Sequence, residues 1–125
     1  PKPSSAASDV YKRQKLRISK MLPGFQDNKI FDFLCLISQE TSSEAIVCGG
    51  SSMQILDTTD ILSKIKVPCL ILTGSEDIVV SKEKSLFLYD TIKNALHIEI
   101  KGVGHAPYCE NALEFNEKIS SFLST

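Results

Sequence analysis

The sequence lacks tryptophan, has only two histidines among its 125 residues, and contains no apolar run long enough to cross a membrane. A membrane span needs about 20 consecutive apolar residues, and the longest candidate, residues 30–37, is interrupted by Asp32. An excess of either charge is also missing, since 14 basic residues stand against 15 acidic ones. This balance favours neither a nucleic-acid partner nor a membrane surface, and we expect a small-molecule or protein partner instead.

The cysteines are four in number: Cys35, Cys48, Cys69 and Cys109. They form no C-x-x-C pair, and three of them stand within apolar runs, a pattern that favours reduced thiols over disulfides. Reduced thiols indicate a reducing compartment, so the expected location is cytoplasmic. Scattered cysteines and two histidines provide no metal-ligand spacing, and we expect neither a metal nor a cofactor.

The chain opens with the segment PKPSSAASDVYKRQ, residues 1–14, which has no hydrophobic period of either 2 or 3.6. Proline, serine and alanine come first, and a basic cluster follows. We predict that this segment is a disordered tail, or a translated junction that is not native to the protein.

Residues 15–56 are predicted to be mainly helical. Apolar residues recur there at the spacing i, i+3, i+4, i+7: Ile30, Phe33, Leu34 and Ile37. This spacing is typical of an amphipathic helix, here over residues 28–40 with Asn28 as its N-cap. A short helix over residues 43–47 is predicted to end at Gly49-Gly50.

The remainder of the chain alternates between strand and helix patterns. Residues 67–73 are a continuous apolar run, typical of a parallel strand buried on both faces. Residues 81–93 have helical spacing, and residues 96–101 alternate like a strand near a sheet edge. Asn111 is placed to cap a last helix, with Glu114 in position for a reciprocal contact. This order predicts an α/β fold with a parallel sheet.

Two glycine-containing loops follow the predicted strands, GSED at residues 74–77 and GVGH at residues 102–105. Functional groups of open α/β sheets gather beyond the carboxyl ends of the strands. Neighbouring parallel strands would therefore bring Asp77 and His105 together. A carboxylate that accepts the imidazole Nδ1–H fixes the tautomer of the ring and leaves Nε2 able to take a proton.

The stretches KIKVPCLILTGSEDIVV and HIEIKGVGHAPYCENALEFNEKISSFL resemble the last two strand-and-helix units of the α/β-hydrolase superfamily. The resemblance covers about residues 60–123. It implies that residues 57–125 are the C-terminal part of an α/β-hydrolase core, preceded by a helical lid-like segment at residues 15–56. It further implies that Asp77 is the triad acid and His105 the general base of an enzyme that cleaves an ester, amide or related bond.

The nucleophile of that family is not found in this sequence, because no G-x-S-x-G elbow and no H-G-x-G oxyanion segment occur. The nearest imitation is GGSSM at residues 49–53, which lacks the last glycine, and its Ser51 lies too close to Asp77 along the chain. We therefore expect a fragment of a hydrolase that is inactive alone. Its substrate, an ester or amide-like small molecule, would belong to the full-length parent, and the exposed sheet edge would favour self-association.

Two alternatives remain at this stage. One is a non-catalytic α/β module that binds a protein through residues 28–48, and the other is a pseudoenzyme that has lost its nucleophile.

Three further side chains carry separate predictions. Glu110 either orients the histidine loop or favours the next helix N-terminus, and we prefer the latter. His97 is predicted to lie on the surface, and Cys109 to be an ordinary thiol rather than a nucleophile or metal ligand.

Overall fold

The computed structural model describes residues 5–25 and 27–124, and the chain divides into two compact units. The first unit contains the chain up to Lys20 and the stretch Gln26–Asp57. The second contains Met21–Phe25 and the chain from Thr58 onward. Each unit is described separately below.

The first unit is entirely helical in its described residues. Its elements in chain order are α1 (Ser5–Met21, whose last residue enters the second unit), α2 (Asn28–Ile37), a 3₁₀ turn (Ser38–Glu40) and α3 (Ser43–Ile55). The N-cap of α2 is Asp27 and not Asn28, since Oδ1 of Asp27 accepts hydrogen bonds from the amides of Lys29 (2.9 Å) and Ile30 (3.1 Å). The prediction of the cap was therefore wrong by one residue.

The predicted disordered tail is corrected by α1, which begins at Ser5. Residues 1–4 lie outside the described residues, but the rest of the predicted tail forms the first turns of the helix. Alanine, lysine, arginine and glutamine all have high helix propensity and need no apolar period to extend a helix. Gln14 and Ile18 are buried among the side chains of α1 that the structure describes.

The predicted end of the third helix is also corrected. α3 continues through Gly49 and Gly50 and ends at Ile55. Neither glycine has a positive φ, and a Cβ at either position would meet nothing within 4 Å. A glycine in a helix interior costs about 1 kcal/mol relative to alanine but ends a helix only when its backbone turns into the left-handed region.

The second unit has the predicted alternation of strands and helices. Its elements are α4 (Thr59–Leu62), β1 (Cys69–Gly74), α5 (Lys82–Thr91), β2 (Ala95–Ile100), α6 (Pro107–Glu110) and α7 (Ala112–Leu123). The strands β1 and β2 pair in parallel, with Cys69 opposite Ala95 and Gly74 opposite Ile100. The α/β class with a parallel sheet is confirmed.

The burial of β1 differs from the prediction. Only Gly74 of this strand is buried, while the side chains from Cys69 to Thr73 are half-buried. In the described part of the chain β1 has one strand partner, β2, so its other edge is unpaired. α5 packs on both strands and α7 contacts β1, but two strands alone provide too little sheet to cover both faces.

The last helix is capped as its sequence predicts. Asn111 Oδ1 accepts from the amide of Glu114 at 3.3 Å, and Glu114 Oε2 accepts from Asn111 Nδ2 at 2.9 Å. The short helix α6 before it was not predicted, and Pro107 opens it at a position where a missing N–H costs nothing. Within residues 5–25 and 27–124, no helix has the length and apolar character of a membrane span.

Candidate active site

The loops that follow β1 and β2 are fastened to each other by three hydrogen bonds. The amide of Ser75 donates to the carbonyl of Ile100 (3.0 Å), and that of Glu76 donates to the carbonyl of Val103 (2.9 Å). In return, the amide of Gly102 donates to Oγ of Ser75 (2.9 Å). The hydrogen bonding between β1 and β2 thus continues into the loops that follow them and holds the two loops side by side.

This close approach requires glycine at two places. A Cβ on Gly74 would overlap the carbonyl oxygens of Val103 and Gly104. A Cβ on Gly104 would overlap the ring of Pro23. Both glycines are buried. A side chain at Gly74 would push the two loops apart, and one at Gly104 would push the histidine loop away from Pro23.

The predicted contact between the acid and the histidine is present. His105 Nδ1 lies 2.9 Å from Oδ2 of Asp77. The other carboxylate oxygen, Oδ1, accepts from the amides of Val79 (2.7 Å) and Val80 (3.0 Å). The aspartate side chain is only 13% exposed and that of the histidine 31%. One carboxylate oxygen of Asp77 thus bonds to the backbone of its own turn, and the other contacts the imidazole of His105.

The electrostatics of Asp77 keep it ionised. Burial by itself raises the pKa of its carboxyl, but the hydrogen bonds from His105, Val80 and Val79 together outweigh burial. The net result is a pKa below its ordinary value. A carboxylate that is anionic at neutral pH stabilises an imidazolium beside it and holds the neutral ring as the Nδ1–H tautomer.

The backbone around His105 has its own hydrogen-bond partners. The amide of His105 donates to the carbonyl of Met21 (2.8 Å). The Glu110 carboxylate accepts from the amide of Gly104 at 2.8 Å and 2.9 Å, and its Oε1 accepts from the amide of Ala106 at 3.3 Å. Of the two roles considered for Glu110, these contacts match the orientation of the histidine loop. A carboxylate five residues after the histidine was the available sequence signal.

The second histidine lies elsewhere in the sheet. His97 Nε2 is 2.8 Å from Oγ1 of Thr73, and its ring lies 6.2 Å from that of Tyr89. The predicted surface position is corrected, since the residue is half-buried between the strand and α5. Its hydrogen bond joins β2 to β1, which is a structural role.

The remaining candidates bring no further chemistry to this site. Burial, reinforced by Glu110, raises the pKa of the Cys109 thiol, which disfavours the reactive thiolate. Ser51 lies exposed within α3, in the first unit. Within the described residues no three histidine, cysteine or acidic side chains are grouped as metal ligands would be. A cavity of about 110 Å³ is lined in part by Thr73, Ser75 and Asp77.

A parallel sheet that carries an acid loop and a histidine loop on adjacent strands is the arrangement of the α/β-hydrolase superfamily, and the comparisons with known proteins agree. The sequence profile of the serine hydrolase (FSH1) family matches residues 14–113. The chain therefore belongs to the serine hydrolase (FSH1) family. No curated protein matches the chain.

Thirty-five chains of solved structures match the fold. The enol-lactonase from Burkholderia xenovorans has a TM-score of 0.86 and 17% identity, over 93% of this chain and 45% of that one. The bromoperoxidase from Bacillus anthracis has a TM-score of 0.83 and 20% identity, over 98% of this chain and 45% of that one. The esterase from Exiguobacterium antarcticum has a TM-score of 0.80 and 19% identity, over 96% and 48%. The chain thus spans about half the length of these structures.

Substitution of Gly74 tests the close approach of the loops. We expect Gly74→Ala to lower the free energy of unfolding by about 2 kcal/mol or more, because the added methyl group must displace two backbone carbonyls. Urea unfolding measures the change. Gly49→Ala is the matched control, since its methyl group meets nothing and should stabilise α3 by about 0.5–1 kcal/mol. A Gly74→Ala protein as stable as the wild type would contradict the described contact.

The lowered pKa of Asp77 predicts a pH dependence of stability. A folded-state pKa below the unfolded value means that the group stabilises the fold above the ordinary value of 3.8, and that this contribution is lost as the pH falls through the lower folded value. We expect Asp77→Asn to be less stable than the wild type at neutral pH by about 1–2 kcal/mol. The difference should shrink below pH 3.8. Urea unfolding across this range, with the exposed Asp90→Asn as control, is the measurement, and a difference independent of pH would count against the prediction.

Proposed function

We propose that this chain is the C-terminal part of a hydrolase that cleaves an ester, amide or related bond through a nucleophile, a histidine and an acid. In this proposal His105 is the general base and Asp77 the acid that orients it. The observation that carries the proposal is the 2.9 Å contact between His105 Nδ1 and Asp77 Oδ2, at adjacent ends of parallel strands. Membership of a serine hydrolase family supports the same chemistry.

The proposed proton transfers follow from the tautomer of the ring. With the proton on Nδ1 held by Asp77, Nε2 carries a lone pair and accepts the hydroxyl proton of the nucleophile as its oxygen attacks the substrate carbonyl. The resulting imidazolium faces an anionic carboxylate, which stabilises it. It then gives the proton from Nε2 to the leaving group. Water attacks the acyl intermediate in the same way, and the enzyme returns to its starting state.

The nucleophile of this proposal is a serine on a part of the parent protein outside the present sequence. The sequence has no G-x-S-x-G segment, and it spans about half the length of the solved structures it matches. Ser51 is a poor substitute, because it lies in the interior of a helix and not at a sharp turn between a strand and a helix. Without a nucleophile and oxyanion donors, we propose that the chain alone is inactive.

The substrate class is proposed at the level of carbonyl compounds with a leaving group. The matched structures include an enol-lactonase and an esterase, whose names refer to carboxylic esters. Their identity to this chain is at most 19%, so the likeness concerns the fold and not the substrate pocket. Ester hydrolysis is therefore the first activity to assay.

The domain organisation proposed for the parent has a core part at residues 57–125 and a lid-like helical part at residues 15–56. The proposed boundary between residues 56 and 57 lies next to the boundary between the two compact units, which falls between Asp57 and Thr58. Residues 1–14 are proposed to be a translated junction that is not native to the protein; the family match begins at the last of these residues. Sequencing the transcript on its 5′ side would reveal both the native upstream segment and the proposed G-x-S-x-G motif.

The proposed triad is tested with a fluorophosphonate probe, which labels an activated serine covalently. We expect the full-length gene product to be labelled, and His105→Gln to reduce the labelling rate at least about 1000-fold, because no base activates the serine. The 125-residue chain should not be labelled. His97→Gln is the matched control, since it removes the other histidine of the present sequence and should keep most of the labelling.

Three outcomes would count against the triad. A folded full-length product without labelling would favour the pseudoenzyme. Labelling of the 125-residue chain itself would place the nucleophile within the present residues. Equal labelling of wild type and His105→Gln would remove His105 from the mechanism.

The unpaired edge of β1 is proposed to make the isolated chain self-associate. The amides of Cys69 and Ser75 donate toward β2 and its extension, so the alternate amides of Leu70 and Leu72 point to the open edge. Free donors on an apolar strand are a template for pairing with another chain. We expect oligomers in sedimentation velocity, and a shift toward monomer for Leu70→Pro, which removes one edge donor. A wild-type monomer that melts cooperatively would contradict the proposal.

A further inference from the structure

The amides of the two residues that flank His105, Gly104 and Ala106, are bonded to one side chain. The amide of Gly104 lies 2.8 Å from Oε1 and 2.9 Å from Oε2 of Glu110, and the amide of Ala106 lies 3.3 Å from Oε1. The amide of His105 itself donates to the carbonyl of Met21 at 2.8 Å. Three consecutive N–H groups are therefore satisfied from outside the loop, and a single carboxylate accounts for two of them.

The amides of Gly104 and Ala106 lie where water cannot easily replace the carboxylate as hydrogen-bond acceptor. Gly104 and Ala106 are buried, and so are their outer neighbours Val103 and Pro107. A buried N–H without an acceptor is destabilising, so loss of the carboxylate would force the loop into another conformation. Gly104 has no side chain that would otherwise restrict its backbone torsions. The conformation of the loop thus depends on groups outside it.

The position of the imidazole depends on this backbone. The peptide units before and after His105 determine its φ and ψ and so the direction of its Cα–Cβ bond. The carbonyl of Met21 holds the N–H of the first unit, whereas Glu110 holds the N–H of the second unit and that of Gly104, one unit earlier. The contact of Nδ1 with Asp77 Oδ2 is 2.9 Å long, and a hydrogen bond weakens steeply when its geometry is disturbed. A small rotation of the flanking peptides is therefore enough to separate the ring from the acid.

A role of Glu110 at the next helix explains its contacts less well. The N-terminus of α7 is already capped by Asn111, whose side chain accepts from the amide of Glu114 and pairs with the Glu114 carboxylate. Both oxygens of Glu110 are directed to Gly104 instead. Glu110 and Glu114 thus have different hydrogen-bond partners, so a substitution of Glu114 is a matched control for a substitution of Glu110.

We infer that Glu110 is a positioning residue: its carboxylate clamps the amides of the two residues on either side of His105 and so holds the ring in its hydrogen bond with Asp77. The inference deepens the proposed function and rests on it for the catalytic use of the ring. The clamp itself, however, is a property of this chain that is measurable without substrate or nucleophile.

The experiment observes the ring nitrogens of the chain with ¹⁵N-labelled histidine by NMR at neutral pH. The chain has only two histidines, so His97 is an internal reference. We expect His105 of the wild type to favour the Nδ1–H tautomer by about tenfold or more, as the bond to a carboxylate requires. In Glu110→Ala the preference should fall to about that of a free imidazole, a loss of about tenfold, whereas Glu114→Ala should leave it unchanged.

A general loss of structure is separated from the positioning role by two further measurements. In the wild type, hydrogen exchange at the amides of Gly104 and Ala106 should be slowed at least about tenfold relative to exposed amides, and this needs no variant. Glu110→Gln keeps one acceptor oxygen and should retain a tautomer preference between those of the wild type and Glu110→Ala.

The outcomes distinguish this inference from the proposed function. Fast exchange of both amides in the wild type, or a wild-type tautomer ratio in Glu110→Ala, would overturn the role of Glu110. If Asp77→Asn abolishes the tautomer preference in that case, the acid and histidine pair stands without the clamp. A wild-type chain in which His105 has no Nδ1–H preference would instead remove the basis of the proposed function.

Discussion

The backbone contact between Gly74 and the carbonyls of Val103 and Gly104 is the constraint on which the rest of the second unit depends. Because Gly74 has no side chain at this crossing, the amides of Ser75 and Glu76 reach carbonyl partners at and beyond the end of β2. That junction holds the acid turn and the histidine loop at one level above the sheet. A longer separation would leave the carboxylate and the imidazole out of hydrogen-bond range, whatever their chemistry.

The two carboxylates near that junction, those of Asp77 and Glu110, have different hydrogen-bond partners. One oxygen of Asp77 is bonded to its own turn and the other to the ring, so the acid is oriented by backbone and keeps a lowered pKa despite partial burial. Glu110 bonds to the loop of the histidine in turn. Each carboxylate is therefore held by backbone amides, Asp77 by those of its own turn and Glu110 by those of the histidine loop.

The part of the chain that carries this site is also the part in which local pattern and tertiary structure agree. The apolar run that became β1, the alternation that became β2 and the Asn111 cap of α7 were all recognisable, because each depends on neighbours within a few residues. The errors occurred where local preference does not decide. Gly49 and Gly50 looked like a helix end, yet their backbone stays right-handed, and the sparse apolar pattern before Gln14 concealed a helix.

By itself, the sequence determined the class of fold, the alternation of strands and long helices in the second unit, and the pair Asp77 and His105, because glycine-rich turns after apolar strands restrict where such side chains can lie. The tertiary structure alone decided which partner each group has. It directed Glu110 to the amides of Gly104 and Ala106 and placed His97 against Thr73. These outcomes depend on hydrogen bonds between segments distant in sequence or on the reach of a side chain across a loop, and no local pattern of residues encodes such distances.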